Sequence, residues 1–172
     1  MASLMENLIE VLDKESREYE SLLGLSMKKT PAIIAGNLEE LAKITDEEQI
    51  IVDNINHMDV KRQEVFADIA NVINKDVKTM KLSDLIAMLA QRPEEQQKLA
   101  KVHDRLKNAV HEVERVNGQN RILIKNALEM VEFDMNMLQA MKTAPETANY
   151  NKGAYSTGAH MGTVAGGFDA KQ

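Results

Sequence analysis

The chain contains no cysteine and no tryptophan, and aromatic residues make up only 3% of its 172 residues. Without cysteine it can form no disulfide, no thiol nucleophile and no cysteine-ligated zinc site. The scarcity of rings argues against an ordinary compact core, because aromatic side chains bury the largest areas. Ala, Val, Ile, Leu and Met supply the apolar content instead. Together with 28% charged residues, they are typical of long helices packed along narrow stripes.

The sequence also lacks any run of basic residues and any long apolar segment. Its net charge of −6 argues against nucleic-acid binding, which needs cations to neutralise phosphates. The N-terminal stretch MASLMENLIEVLDKE has neither the basic start nor the apolar block of a signal peptide. No window is apolar over the length needed to span a membrane. These absences are compatible with a cytoplasmic protein.

Motifs that carry catalysis or hold cofactors are absent as well. No glycine-rich phosphate loop opens a predicted helix. A di-iron site in a helical bundle needs Glu-x-x-His pairs. The residues three positions before the four histidines are instead Asn54, Ala100, Asn108 and Thr157. We therefore expect no enzyme activity, no metal and no cofactor.

The sequence is rich in apolar residues at helical spacing, and these predict four helices. The predicted helices span residues 3–35, 37–74, 83–91 and 93–142. Ser3 and Glu6 have the spacing of a capping box at the first helix start. Gly36 can close that helix and Asn37 can cap the next, so the first two helices should be antiparallel neighbours.

Two prolines and a serine mark further helix boundaries. Pro31 could end the first helix or kink it, and we favour a kink because no turn residue occurs before Gly36. Ser83 can cap the short third helix. Arg92–Pro93 ends that helix and starts the last one, since proline is tolerated at the first helical position.

The last helix carries the strongest pattern. With Leu99 at heptad position a, 14 of the 18 residues at positions a, d and e up to Leu138 are apolar. The four polar exceptions are His103, Asn117, Asn120 and Asp134. After Lys142 the sequence becomes rich in glycine and loses its period. The predicted fold is an all-α, coiled-coil-like antiparallel bundle with one short helix at residues 1–142. A flexible, disordered Gly-rich tail at 143–172 follows it.

Asn117 and Asn120 place amide groups on the apolar stripe of the last helix. A polar group in a helical seam can fix the register of packing at a cost in stability. Alternatively, both amides face the backbone of a partner. The first interpretation is the simpler one, because buried amides need hydrogen-bond partners and the bundle is their nearest source.

A second apolar row begins after Asn120. It consists of Ile124, Leu128, Val131, Met135 and Leu138. In one interpretation the short third helix or a second copy of the chain covers this row. In the other, the row is a docking groove for an amphipathic helix of another protein. Methionines in the same segment would make such a surface adaptable, because their side chains are flexible and polarisable.

Three stretches resemble the FlgN-type flagellar type III export chaperones. The first is GNLEELAKITDEEQIIVDNINHMDVKRQEVF, with Leu38, Leu41, Glu48–Gln49 and Arg62 at the matching positions. The second is NGQNRILIKNALEMVEFDMNML, an Asn-x-x-Asn helix followed by spaced apolar residues. The third is Tyr150-x-x-Gly153 soon after that helix. The resemblance covers roughly Met1 to Tyr155.

This resemblance implies a cytosolic chaperone without enzymatic activity. Such proteins bind the C-terminal helical ends of the hook–filament junction proteins, prevent their premature assembly and deliver them to the export gate, a membrane protein. The implied cargo-binding residues are Asn117, Asn120, Ile124, Leu128, Val131, Met135 and Leu138. Tyr150 and Gly153 are the implied contact with the export gate. The alternative is a coiled-coil homo-oligomer whose apolar face is its own interface.

Overall fold

A computed structural model of the chain describes residues 3–143, which form four α-helices in the predicted order. The helices are α1 (Leu4–Ala35), α2 (Leu38–Val72), α3 (Leu82–Met88) and α4 (Pro93–Thr143), with a short 3-10 turn at Leu89–Gln91 between the last two. Residues 3–143 contain no strand. The predicted all-α bundle is therefore confirmed. Except for Thr143, the predicted tail lies outside the described residues.

The helix ends at the α1–α2 hairpin follow from local chemistry. The Ser3 hydroxyl accepts the Glu6 backbone N–H at 3.1 Å, and the Ser3 N–H donates to the Glu6 carboxylate at 2.7 Å. Gly36 adopts φ 64°, a left-handed conformation that closes α1 without a Cβ clash. Asn37 then caps α2 by accepting the Glu40 N–H at 3.1 Å. These contacts make a tight reversal between two long helices.

The predictions made for Pro31 and Ser83 have different outcomes. α1 continues through Pro31 to Ala35, so the chain does not break at that proline. The prediction that Ser83 caps α3 is wrong, because the N-cap is Lys81 and Ser83 lies inside the helix. The Asp84 carboxylate accepts the Lys81 backbone N–H at 2.9 Å. An acidic side chain three residues after the cap thus satisfies the helix start without a capping hydroxyl.

Polar contacts fix the helix directions. Arg105 of α4 bonds to Asp13 and Glu20 of α1, each at 2.7 Å, and the later Asn120 bonds to the later Ser26, so α1 and α4 run parallel. α2 runs antiparallel to α1, because Arg62 lies near Glu15 while the earlier Glu48 bonds to Ser26. The bundle therefore has an up–down–up order of its long helices.

The core changes composition along the bundle. Its largest buried cluster joins all four helices and contains Leu8, Leu12, Ile69, Leu85, Leu89, Leu99 and Leu106. The next cluster contains Leu22, Ile55 and Val113, one residue from each long helix. The cluster nearest the α1–α2 turn contains only α1 and α2 residues, Leu25, Ala32 and Ile44. The contribution of α4 to the buried apolar clusters therefore ends before the hairpin does.

The chain divides into two compact units at Glu132–Phe133. The described part of the first unit, residues 3–132, contains the bundle. The described part of the second unit, residues 133–143, forms the last turns of α4. Among residues 3–143, no helix combines the length and apolarity needed to cross a membrane.

Candidate functional site

Asn120 lies at the point where burial of α4 ends. Its side chain is only 3% exposed. The amide nitrogen donates to the Ser26 carbonyl at 2.8 Å, and the amide oxygen accepts from the Thr30 hydroxyl at 2.7 Å. Both ends of the amide are therefore satisfied by α1, which fixes α4 against that helix. Contact of Asn120 with a partner stays a prediction, and in this structure its polar atoms are already engaged.

A second set of contacts extends this hydrogen-bonded group to α2. The Ser26 hydroxyl donates to the Glu48 carboxylate at 3.3 Å, and Lys29 forms an ion pair with the same carboxylate. Ser26, Lys29, Thr30, Glu48 and Asn120 together form what we call the polar layer. Because hydrogen bonds require a defined geometry, this layer sets one alignment of the three long helices.

A buried carboxylate lies deeper in the bundle. Glu15 is 3% exposed, and one carboxylate oxygen lies 3.2 Å from the Arg62 Nε. The N–H of Arg62 does not point at that oxygen, so the pair attracts by charge without a proper hydrogen bond. Burial raises the pKa of Glu15 above its ordinary value; Arg62 lowers the pKa and Asp59 raises it, both by smaller amounts.

Asn117 differs from Asn120 although the sequence pattern treats the two alike. Asn117 is exposed, whereas Asn120 is buried. The amide of Asn117 is thus accessible to a binding partner, and its predicted role in binding stays untested. Ser26 and Thr30, which hold Asn120, were not singled out by sequence reasoning. Their spacing of four residues on the buried side of α1 was the available signal.

After Asn120 the environment of α4 reverses. Every residue from Arg121 to Thr143 is exposed except Leu123, which is half-buried. The exposed large apolar residues in this segment are Ile122, Ile124, Leu128, Met130, Val131, Phe133, Met135, Met137, Leu138 and Met141. Single exposed apolar residues are ordinary, but a dense run of them on one helix marks an interaction surface.

The apolar cargo-binding residues predicted from the sequence all belong to this exposed run. Ile124, Leu128 and Val131 lie in the first unit, and Leu128 is 63% exposed. Met135 and Leu138 lie in the second unit and are also exposed. The interpretation that the short third helix covers the row is wrong for Ile124, Leu128 and Val131, which are exposed in the same unit as that helix. Leu85 of α3 packs instead in the largest core cluster, at the far end of the bundle.

Two further features bear on what the chain binds. Tyr150 and Gly153, the predicted export-gate contact, lie outside the described residues. Within residues 3–143, no three His, Asp or Glu side chains lie close enough together to hold a metal ion. The candidate site is therefore the exposed apolar side of α4.

Comparison with known proteins agrees with the earlier resemblance. The family model described as FlgN protein matches residues 1–157. The chain belongs to the FlgN family. A relative from Bacillus subtilis (strain 168), called Uncharacterized protein YvyG, is 26% identical over 144 residues, which are 84% of this chain and 83% of the relative. No solved structure matches the chain.

Membership in the FlgN family gives the general function. FlgN proteins are flagellar export chaperones, so this chain is a flagellar export chaperone that binds flagellar proteins. The family is a chaperone family and is not known for enzymatic activity. An exposed apolar surface on the last helix suits this class, because a chaperone has to cover apolar segments of its client.

Proposed function

We propose that this chaperone works in the cytosol and binds the C-terminal helical ends of flagellar hook–filament junction proteins. The exposed apolar residues of α4 form the binding surface. The observation that carries the proposal is the change from a buried to an exposed apolar face at Asn120. A subunit end that later packs inside a filament is prone to associate early, and covering its apolar side prevents this.

The test is calorimetric titration of a Leu128→Asp, Met135→Asp double variant with the C-terminal helical segment of a hook–filament junction protein. We expect binding to be lost, because each substitution places a charge in a buried contact at a cost of several kcal/mol. The fold should survive, since both wild-type side chains are exposed. Circular dichroism checks this.

The control is the Asn136→Asp variant. It adds a negative charge to the same helix at an exposed position about 100° around the helix from Met135. We expect it to bind the segment like the wild type. Wild-type affinity of a folded Leu128→Asp, Met135→Asp variant would remove the exposed apolar residues from the binding site. Equal weakening by both variants would mean that charge alone matters.

We also propose that the chaperone delivers its client to the export gate through Tyr150 and Gly153. The support is the family resemblance of the Tyr150-x-x-Gly153 motif. Tyr150→Ala should leave client binding unchanged and reduce the amount of junction protein secreted by cells. Tyr155→Ala is the control, because it removes a neighbouring ring outside the motif. Normal secretion by the Tyr150→Ala strain would contradict the assignment.

A coiled-coil homo-oligomer is the second candidate. The same exposed apolar run favours it, since two copies could cover each other's α4. The two candidates differ in what covers the surface when the chain is alone. A folded Leu128→Asp, Met135→Asp variant would become monomeric in the second case. In the first case its state of association would not change.

A further inference from the structure

The exposed apolar side of α4 continues the side that is buried in the bundle. Between Leu99 and Asn120 the buried residues of α4 lie within an arc of roughly 100° around the helix, at about 100° per residue. Most of the next apolar residues of the first unit lie on the same side of the helix, and Ile122, on the opposite side, is the exception. The residues on the same side are Leu123, Ile124, Ala127, Leu128, Met130 and Val131, and we call them the continuing face. It is centred on the direction of Asn120.

The continuing face is wider than the buried one. Met130 and Leu128 form its two edges, about 160° apart around the helix. In the bundle, α1 and α2 both pack on the narrower arc at Val113, and α3 joins them around Leu99 and Leu106. A single helix packed in a coiled-coil seam covers only a narrow stripe. One partner helix would therefore leave one edge of the continuing face in water.

The tip of the α1–α2 hairpin adds an exposed apolar surface. Ile34 follows Thr30 by one helical turn, as Ile124 follows Asn120, so the two isoleucines lie on facing sides of parallel helices. Ile34 is 72% exposed, and Leu38 at the start of α2 is 77% exposed. Ile34 lies at the end of α1 and Leu38 at the start of α2. Beyond this point α4 has neither helix beside it.

We propose that the client presents two helical segments that pack side by side along the continuing face. They extend the positions of α1 and α2, and their ends contact Ile34 and Leu38. This inference rests on the proposed function and specifies the shape of its client. The continuity with the α1–α4 and α2–α4 packing supports it, because the client then completes the same three-helix arrangement.

The absence of cysteine makes a direct test possible. Single variants Leu128→Cys, Met130→Cys and Ile34→Cys put one thiol at each edge of the continuing face and one at the hairpin tip. Glu129→Cys and Lys28→Cys are the controls, since both residues are exposed and lie on the opposite sides of α4 and α1. All five side chains are exposed, so the substitutions spare the core.

Thiol labelling rates are measured with and without the C-terminal segment of a hook–filament junction protein, after calorimetry has shown binding. At nine-tenths saturation we expect labelling at the three test sites to slow about tenfold, because only the uncovered fraction reacts. The two controls should label at unchanged rates. Slowing at only one of the two edges would mean a single client helix and would overturn the inference.

Other outcomes are also decisive. Unchanged labelling of Ile34→Cys would show that the client does not reach the hairpin tip. It would overturn the proposed contact with Ile34 and Leu38. If labelling of the chaperone alone becomes slower as its concentration rises, a second copy of the chain covers the face. The absence of binding in calorimetry would contradict the proposed function itself, which separates that failure from a wrong number of helices.

Discussion

The two parts of α4 on either side of Asn120 share an apolar period and have opposite environments. Between Leu99 and Asn120 the apolar side is buried against α1 and α2. From Ile124 to Val131 the same side is exposed. The difference lies in the neighbours, since α1 ends at Ala35, little more than one turn beyond Thr30. A helical period therefore predicts that a side will be covered, but not which molecule covers it.

The polar layer lies at the boundary between these two parts. Asn120, Thr30 and Ser26 bind each other where the apolar packing of α4 stops. Purely apolar packing would allow α4 to slide or rotate with little loss of stability, whereas hydrogen bonds fix one geometry. The layer thus sets the position from which the continuing face begins.

The largest expected effect contrasts one leucine from each part of α4. Leu99→Ala should lower the free energy of unfolding by about 2–5 kcal/mol, because Leu99 is fully buried and its loss leaves a cavity. Leu128→Ala should change it by less than about 0.5 kcal/mol, since Leu128 is largely exposed. Chemical denaturation of both variants measures the difference. Equal losses would mean that both parts of the helix are core.

A smaller effect is expected for the two asparagines. Asn120→Leu should lower the free energy of unfolding by about 1–3 kcal/mol, because the Ser26 carbonyl and the Thr30 hydroxyl lose their partner. Asn117→Leu should change it by less than about 0.5 kcal/mol, since Asn117 is exposed. Thermal unfolding compares the two variants.

Two other results for Asn120→Leu would each favour a different role. A rise in stability, with or without a new oligomeric state, would mean that the amide is kept for register at a cost. Unchanged stability together with weaker client binding would mean that Asn120 contacts the client. The second result would contradict the role inferred from the hydrogen bonds to α1, and the first would contradict only the stabilisation expected from them.

The smallest expected effect concerns two carboxylates and pH. The pKa of Glu15 is raised by burial above its ordinary value of 4.5, so the folded state binds this proton more tightly than the unfolded state. Its contribution to stability therefore falls as pH rises from 4.5 through the raised pKa. Glu15→Gln should flatten the pH dependence of unfolding in that window.

Glu20 supplies the contrasting case for the same measurement. The hydrogen bond from Arg105 holds the pKa of Glu20 below its ordinary value of 4.5. Its contribution to stability is present above that value and is lost as pH falls through the lowered pKa. Glu20→Gln should therefore change the pH dependence only on the acid side. Identical pH profiles for the two variants would contradict the inferred environments.

Much of the fold could be predicted because its signals are local. The Ser3–Glu6 box, Gly36 with Asn37, and Pro93 each act within a few residues, and each marks a helix end in the structure. The N-cap of α3 was misplaced by two residues, at Ser83 instead of Lys81, because Asp84 satisfies the Lys81 N–H in a way that competes with a serine cap. Competing local solutions of similar energy cannot be ranked from sequence alone.

The candidate site was harder to predict, because it depends on whether other helices pack against the apolar row. The pattern located the apolar row from Ile124 to Leu138, but the same pattern is equally compatible with a core. The partners of Asn120 come from Thr30 and Ser26, 90 and 94 positions earlier in the chain. Such contacts follow from the packing of α1 against α4, which a helical period does not specify.

Static light scattering of the purified chain tests the central claim most directly, namely that the exposed part of α4 is covered by a client. The measurement is made on the chain alone and after addition of the C-terminal segment of a hook–filament junction protein. The account predicts the mass of one chain alone, and a mass increased by one client segment in the mixture. A tight homo-oligomer whose mass does not change when the segment is added would contradict it.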